Sequence, residues 1–136
     1  MNVVVVGGGP AGMIAGITSA EEGNNVILVE KNSSLGNKLK ITGKGRCNLT
    51  FDGDEEKFRN NIVNNSKFMY SSFSNFNNKD VVDFFNKLGV QTKVERGGRV
   101  FPVSDSAIDV VNALKNKLKK ENVKIKYNSG VVEIIT

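Results

Sequence analysis

The stretch Gly7-Gly8-Gly9-Pro10-Ala11-Gly12 restricts this chain to few folds. It follows Val3-Val4-Val5-Val6, a β-branched run that predicts a strand buried on both faces of a parallel sheet. Pro10 fits the first turn of a helix, where its missing N–H is not needed. Ala11, Ile14, Ala15 and Thr18 then recur at helical spacing, and Gly23 supplies a stop. Val26-Ile27-Leu28-Val29 repeats the buried-strand pattern. The result is a strand–helix–strand unit with its glycines spaced as Gly-x-Gly-x-x-Gly at the first turn, which is the context that makes a dinucleotide fingerprint credible.

Each glycine answers a physical need. Gly7 allows the tight turn, and Gly9 lets a pyrophosphate approach the backbone with no Cβ in the way. Gly12 allows the helix to pack closely on the strand, and Gly16 extends that small face by a turn. Helix N–H groups together with the helix dipole then hold the anion. Glu30 ends the second strand, where a carboxylate can accept hydrogen bonds from both ribose hydroxyls of an adenosine and repels a 2′-phosphate. The alternatives are an ordinary glycine-rich turn and a solvated strand end. The flanking strand and helix argue against both.

Lys31 to Thr50 shows no sustained period and reads as a long loop rich in glycine and lysine, of the kind that is usually functional or disordered. Helical spacing follows in three groups: Phe58, Ile62 and Val63; Phe68, Met69, Phe73 and Phe76; and Val81, Val82, Phe84, Phe85 and Leu88 before Gly89. At this spacing the aromatic residues are expected in a core. Val90 to Glu95, a two-residue Gly97-Gly98 turn and Arg99-Val100-Phe101 predict a hairpin. Ser104 or Asp105 is expected to cap a helix that buries Ala107, Val110, Val111, Leu114 and Leu118. Val123, Ile125 and Tyr127 predict a third strand, and Val131 to Ile135 a fourth. The fold class is therefore α/β: a parallel sheet of at least three strands in the order 3-2-1, with a helical and hairpin excursion between strands two and three. Only one half of a two-half dinucleotide sheet is visible, and the sequence stops inside a strand pattern, so a truncated amino-terminal portion is expected.

The net charge of +5 raises the question of nucleic acid. The excess lies mainly along Lys31 to Arg46 and Lys115 to Lys126, without aromatic platforms, and no nucleic-acid partner is expected. No apolar run approaches the roughly 20 residues that span a bilayer, so a soluble, cytoplasmic protein without membrane contact is expected. The single Cys47 excludes an internal disulfide and suits a reducing compartment. The chain contains no histidine, which excludes Ser–His catalysis and histidine-ligated metal within it, and no metal site is expected.

The loop Leu35-Gly36-Asn37-Lys38-Leu39-Lys40-Ile41-Thr42-Gly43-Lys44-Gly45-Arg46-Cys47-Asn48-Leu49-Thr50, with the later Arg99-Val100-Phe101-Pro102-Val103-Ser104-Asp105-Ser106-Ala107, resembles the pattern of HI0933-like, or BaiN-like, FAD-dependent oxidoreductases. The likeness runs in order along nearly the whole chain. One departure is Phe51, where many relatives have asparagine. The resemblance implies a Rossmann-like FAD-binding domain of glutathione-reductase type, with residues 1–136 as its amino-terminal part. An insert domain and a carboxy-terminal flavin segment would then lie elsewhere in the enzyme. It implies non-covalent FAD held by Gly7, Gly8, Gly9, Pro10, Ala11 and Gly12 at the pyrophosphate and by Glu30 and Lys31 on the adenosine side. Lys38, Gly45, Arg46, Cys47 and Asn48 would line the flavin side, and Val132 would present its backbone to the adenine edge. Read from chemistry alone, Lys38, Lys44 and Arg46 could meet phosphates or an anionic reduced flavin. Cys47 could be a redox thiol activated by Arg46, but without a second cysteine a buried structural role is favoured. Bound FAD would take a hydride from NAD(P)H or from a substrate and pass it on; the catalytic residues and the substrate are not indicated. Two alternatives remain: an NAD-binding dehydrogenase domain, and a non-catalytic fragment able to form a homodimer.

Overall fold

A computed structural model describes residues 1–135. Strands β1 (Asn2–Val6) and β2 (Asn25–Val29) pair in parallel, joined by helix α1 (Pro10–Glu21). The sheet's third strand, Lys124–Lys126, lies parallel on the far side of β2, which gives the 3-2-1 order read from the sequence. Register places Val4, Ile27 and Lys124 in one row and Val5, Leu28 and Ile125 in the next.

Helix α1 starts where Pro10 occupies the first turn and stops at Gly23, whose φ of 81° is the left-handed geometry of a helix stop. Its buried side carries Met13, Gly16 and Ile17, while Ala11, Ala15 and Thr18 are exposed, so the predicted stripe is rotated. The reason is Gly16. A Cβ there would lie 3.3 Å from Leu118 and 3.7 Å from Leu28, so the glycine side is the side that can press closest to the sheet and the neighbouring helix.

Helices cover one face of the sheet. Val26 and Leu28 are buried beneath α1 and the helix Ala107–Lys120, whose Ala107, Val110, Val111, Leu114 and Leu118 are all buried as predicted. Val4 and Val6 on the opposite face are about 60% exposed (61% and 60%). The expectation that β1 is buried on both faces is therefore corrected: β1 is an edge strand, and nothing else among the described residues covers its second face.

The excursion between β2 and the third parallel strand differs more from expectation. The supposed structureless loop contains a short helix α2 (Asn37–Ile41), a 3-10 turn (Thr42–Gly45) and a two-residue strand β3 (Thr50–Phe51). Beyond it come α3 (Glu55–Asn60), capped by Asp54, then α4 (Tyr70–Asn75) and α5 (Asn78–Lys87), the last opened by an Asn77–Asp80 capping box. Ile62 and Val63 lie outside α3, and Phe68 is 84% exposed, so the aromatic stripe is only partly core. Phe73 and Phe85 are buried, and Phe58 stacks on Phe73 with ring centroids 4.5 Å apart.

Strands β4 (Thr92–Glu95) and β5 (Arg99–Pro102) form the predicted hairpin, and β3 adds to the free edge of β5. Glu95 pairs with Arg99, so the connection is Arg96-Gly97-Gly98 and not a two-residue turn. Helix α6 (Ala107–Lys120) is capped by Ser106, which accepts from the Asp109 N–H, and not by Ser104 or Asp105. With the intervening strands placed, Lys124–Lys126 is β6. The predicted fourth strand at Val131 to Ile135 does not form a ladder. Asn128 and Ser129 donate to the carbonyls of Asn32 and Glu30, which turns the backbone across the end of β2, and Val132 beyond is fully exposed.

Candidate functional site

The site is built at the carboxyl ends of β1 and β2, where a parallel sheet with one crossover helix leaves its binding crevice. Gly7 leaves β1 with φ of 100° and its N–H donates to the Val29 carbonyl at 2.8 Å, so the turn stays tied to β2. Gly9 precedes α1 in extended backbone (φ −77°, ψ 179°), and no side chain caps the helix. The first intrahelical bond runs from the Met13 N–H to the Gly9 carbonyl, which leaves the Ala11 and Gly12 N–H groups directed out of the helix start.

Cβ atoms placed on the fingerprint glycines separate their roles. At Gly12 a Cβ would lie 1.9 Å from the Gly7 carbonyl oxygen, and at Gly8 it would lie 2.3 Å from Leu35 and 3.0 Å from the Glu30 carboxylate. At Gly9 it would meet nothing within 4 Å. Gly12 and Gly8 are required by the fold itself. The openness at Gly9 is the space that the sequence reading reserved for an approaching group.

Glu30 is buried at 7% exposure, and its carboxylate is anchored. Oε2 accepts from the Gly8 N–H at 2.7 Å, while Oε1 accepts from the Asn32 N–H at 2.8 Å and the Asn32 side-chain amide at 2.6 Å. The Asn32 and Gly8 backbone N–H groups hold this carboxyl below the usual carboxylate range, with smaller help from the Asn32 amide and Lys31, against the opposing effect of burial. Glu30 is thus ionised at neutral pH. With three donors filled, a fourth lone-pair site remains free on Oε2.

A cleft of about 310 Å³ opens beside these groups. Gly7, Gly8, Gly9 and Glu30 line it together with Lys31, Lys38 and the segment from Ser129 to Val131. Val132 does not line it. A second, apolar cleft of about 380 Å³ lies on the other flank of the α1 start, bounded by Pro10, Ala11, Ile14, Cys47, Asn48 and Phe84. The structure therefore divides the predicted flavin-side set. Lys38 faces the Glu30 cleft, Cys47 and Asn48 face the apolar one, and Arg46 lines neither.

Arg46 is engaged elsewhere. Its guanidinium bonds Glu95 at the end of β4 and Asp105 ahead of α6, the latter from Nε at 2.8 Å and Nη2 at 2.7 Å, and sits 4.2 Å from the Phe101 ring centroid. Lys93 completes a cluster of two cations and two carboxylates by donating to Asp105 at 2.6 Å. The side-chain bonds to Glu95 and Asp105 raise the guanidinium's proton affinity, and Glu95 and Asp105 are correspondingly held low by Arg46 and Lys93. These two carboxylates, together with Asn32, are the contributors that sequence reasoning missed. Asn32 follows the strand-end acid closely enough to be guessed as an Asx-type partner, whereas nothing in the local sequence pairs Arg46 with residues so distant.

Between the two clefts the backbone is contorted. Gly43, Lys44 and Gly45 are successive left-handed residues, and Cys47 follows with φ of 63°. For the non-glycine Lys44 and Cys47 such geometry costs about 1 kcal/mol or more each and persists only where neighbours enforce it. Cys47 is fully buried, and burial pushes its thiol up despite a hydrogen bond involving Thr42. The favoured structural role matches this burial, and the activated thiolate does not.

The chain matches, over residues 1–136, the family described as HI0933-like protein Rossmann domain. A 3-dehydro-bile acid delta(4,6)-reductase of Clostridium scindens is 33% identical over 141 residues, covering 96% of this chain and 32% of the relative. A ribosomal RNA dihydrouridine synthase of Escherichia coli is 29% identical over 133 residues, covering 98% of this chain and 32% of the relative. The chain thus spans about a third of the length of these curated relatives. Among solved structures, the open conformation of a flavocytochrome c3 fumarate reductase superposes with a TM-score of 0.64 at 22% identity, covering 98% of this chain and 28% of that one. Thermovibrio ammonificans THI4 superposes at 0.61 and 17% identity, covering 93% and 38%. These likenesses establish the Rossmann-like fold. No helix of the described residues is long and apolar enough to cross a membrane.

Proposed function

The chain belongs to the HI0933-like Rossmann-domain family, and on that premise we propose that it is the FAD-binding amino-terminal portion of a flavin-dependent oxidoreductase. The observation that carries this reading is the pairing of an open approach at Gly9 with an anchored, ionised Glu30 across one cleft. The pyrophosphate would lie over Gly7 to Gly12 against the uncapped start of α1, where the Ala11 and Gly12 N–H groups and the helix dipole meet it. Glu30 would accept one ribose hydroxyl at the free lone pair of Oε2; accepting a second at Oε1 requires the Asn32 amide to swing away. Lys31 and Lys38 line the same cleft and would neutralise phosphate charge, and the backbone at Ser129 to Val131, which lines it too, would meet the adenine edge in place of the exposed Val132.

The flavin end would turn towards Gly45, Cys47 and Asn48, beside the apolar cleft, whose lining would shield the ring from water. When bound, FAD supplies hydride and electron transfer, with NAD(P)H as the proposed donor. The chain's own residues bind and orient it. The relatives' printed names, a reductase and a dihydrouridine synthase, suit this reaction class.

The test is the flavin itself. The whole protein, purified, should show a flavin absorption spectrum, release FAD and not FMN on denaturation, and rebind FAD in its apo form. A protein that takes up NAD and leaves FAD free in the same titration would be an NAD-binding dehydrogenase domain, and the proposal would fall.

A further inference from the structure

We propose that Arg46 is a positioning residue, which holds the Cys47–Asn48 backbone against the start of α1 by clamping its loop to Glu95 and Asp105, and does not itself contact the cofactor. The inference rests on the FAD reading for its consequence but on this chain's geometry for its mechanism. Arg46 sits inside a run of left-handed residues, Gly43, Lys44, Gly45 and Cys47, that has no regular backbone ladder to keep it in shape. Two local bonds, from the Arg46 N–H to the Gly43 carbonyl at 3.3 Å and from the Cys47 N–H to the Thr42 carbonyl at 3.0 Å, hold part of it, and the rest of its support comes from distant segments. The guanidinium reaches the last residue of β4 and the turn before α6, and lies on the face of the buried Phe101. The loop is pressed onto the same ring: a Cβ at Gly43 would lie 3.1 Å from Phe101 and 3.0 Å from the Asn48 nitrogen. The Leu49 N–H then donates to the Val100 carbonyl at 2.8 Å, where pairing with β5 begins.

Two carboxylates and one ring thus fix a single arginine, and the residues on its carboxyl side, Cys47 and Asn48, are those that face the apolar cleft beside Pro10 and Ala11. Two carboxylates already offset the single charge of Arg46 and occupy its Nε and Nη2, and although the Nη1 donors stay free, the side chain lines neither cleft. Its effect on the cleft passes through the loop.

Three variants of the whole protein test this: Arg46→Ala, Arg46→Lys, and the double variant Glu95→Gln/Asp105→Asn, which leaves the arginine in place and removes its anchors. Two quantities are read, the rate at which a thiol reagent modifies the buried Cys47 in the flavin-free protein and the affinity for FAD, with melting temperature as a check on folding. Positioning predicts that Arg46→Ala and the carboxylate double variant behave alike. Both expose Cys47 to faster modification and weaken FAD on the order of tenfold, the size typical of losing an outer-shell partner at metal sites, while Arg46→Lys recovers part of each. If the double variant binds FAD and shields Cys47 as the wild type does while Arg46→Ala loses FAD, Arg46 acts on the cofactor directly and the proposal is wrong. If Cys47 stays shielded in all three, the clamp does not hold the loop. Should the wild type bind no FAD at all, the cofactor reading fails, and the Cys47 modification rates alone decide the clamp.

Discussion

Replacing Gly9 by alanine separates stability from binding at the fingerprint, and the structure allows both effects to be sized. The backbone there is extended, with φ of −77°, a region any residue adopts, and an added Cβ meets no atom within 4 Å. Loss of glycine freedom in the unfolded chain stabilises by about 0.4–1 kcal/mol. Alanine is a poorer helix cap than glycine by roughly 0.5–1 kcal/mol. The two nearly cancel, so the melting temperature of Gly9→Ala should stay within about 4 °C of the wild type. Gly12→Ala is the contrasting case. Its Cβ would stand 1.9 Å from the Gly7 carbonyl oxygen, and that oxygen is backbone and cannot rotate aside. The cost should reach or exceed the roughly 3 kcal/mol upper end for overpacking, which lowers the melting point by on the order of 10 °C.

Binding should not follow stability at Gly9. The Gly9 methyl occupies the approach to the Ala11 and Gly12 N–H groups, and hydrogen bonds to a charged phosphate contribute roughly 1.5–3 kcal/mol each. Losing one weakens FAD by about tenfold to a hundredfold. Differential scanning calorimetry and equilibrium titration of the apo form with FAD, on the same preparations, give both numbers. A Gly9→Ala protein that is stable and binds FAD as tightly as wild type would place the pyrophosphate elsewhere. One that melts as low as Gly12→Ala would show that the open space at Gly9 is not real.

Glu30→Ala should weaken FAD by about tenfold to a hundredfold, from the loss of charge-assisted bonds of roughly 1.5–3 kcal/mol, and weaken FMN, which lacks the adenosine half, less; an affinity for FAD within about twofold of wild type would make Glu30 a purely structural anchor. Cys47, buried and with its thiol pushed up, should react with iodoacetamide at neutral pH far more slowly in the native protein than in denaturant, and equal rates would refute its burial. Glu30, Glu95 and Asp105 are all held below their ordinary values, so each contributes stability above the carboxylate range that is lost as pH falls. Melting temperature should therefore be flat near neutrality and fall below about pH 4, with Glu30→Gln reducing the slope; a wild-type melting point that does not change on acidification would contradict the anchoring.

The strand–helix–strand unit and the buried side of α6 were legible because each is written at short range, in the glycine spacing, β-branched runs and helical stripes, while the strand order followed from the dinucleotide fold that the fingerprint implies. The misreadings share a physical cause, which is that long-range contacts decide them. A run of four valines signals a strand but cannot say whether both faces are covered, and Val4 and Val6 lie on the uncovered one. The stripe on α1 was displaced because Gly16, invisible to a count of apolar residues, sets the side of closest approach. Val131 to Ile135 has strand composition but no partner to pair with among the described residues. The later part of the loop, around Gly43 and Arg46, is held by Phe101, Glu95 and Asp105, all far along the chain.

The two strongest sequence signals for a dinucleotide, the glycine turn and the acid at the end of the second strand, look independent when read along the chain. In the structure they are one unit. The Gly8 N–H donates to Glu30 Oε2, and Gly8 has room for no side chain because Leu35 and that same carboxylate fill the space. Leu35 belongs to the loop that follows, and the Gly36 N–H returns to the Gly8 carbonyl at 2.9 Å. The turn, the acid and the loop therefore brace one another before any ligand arrives. Part of the ordering cost of binding is thereby met in folding, which is the condition for a preorganised site. It also follows that Glu30→Ala strips Gly8 of its acceptor as well as the ribose of its partner, whereas Glu30→Gln can keep the Gly8 bond through its carbonyl oxygen and loses chiefly the charge. A larger loss of FAD affinity in the alanine variant than in the glutamine variant measures how much of the acid's role is exerted through the turn.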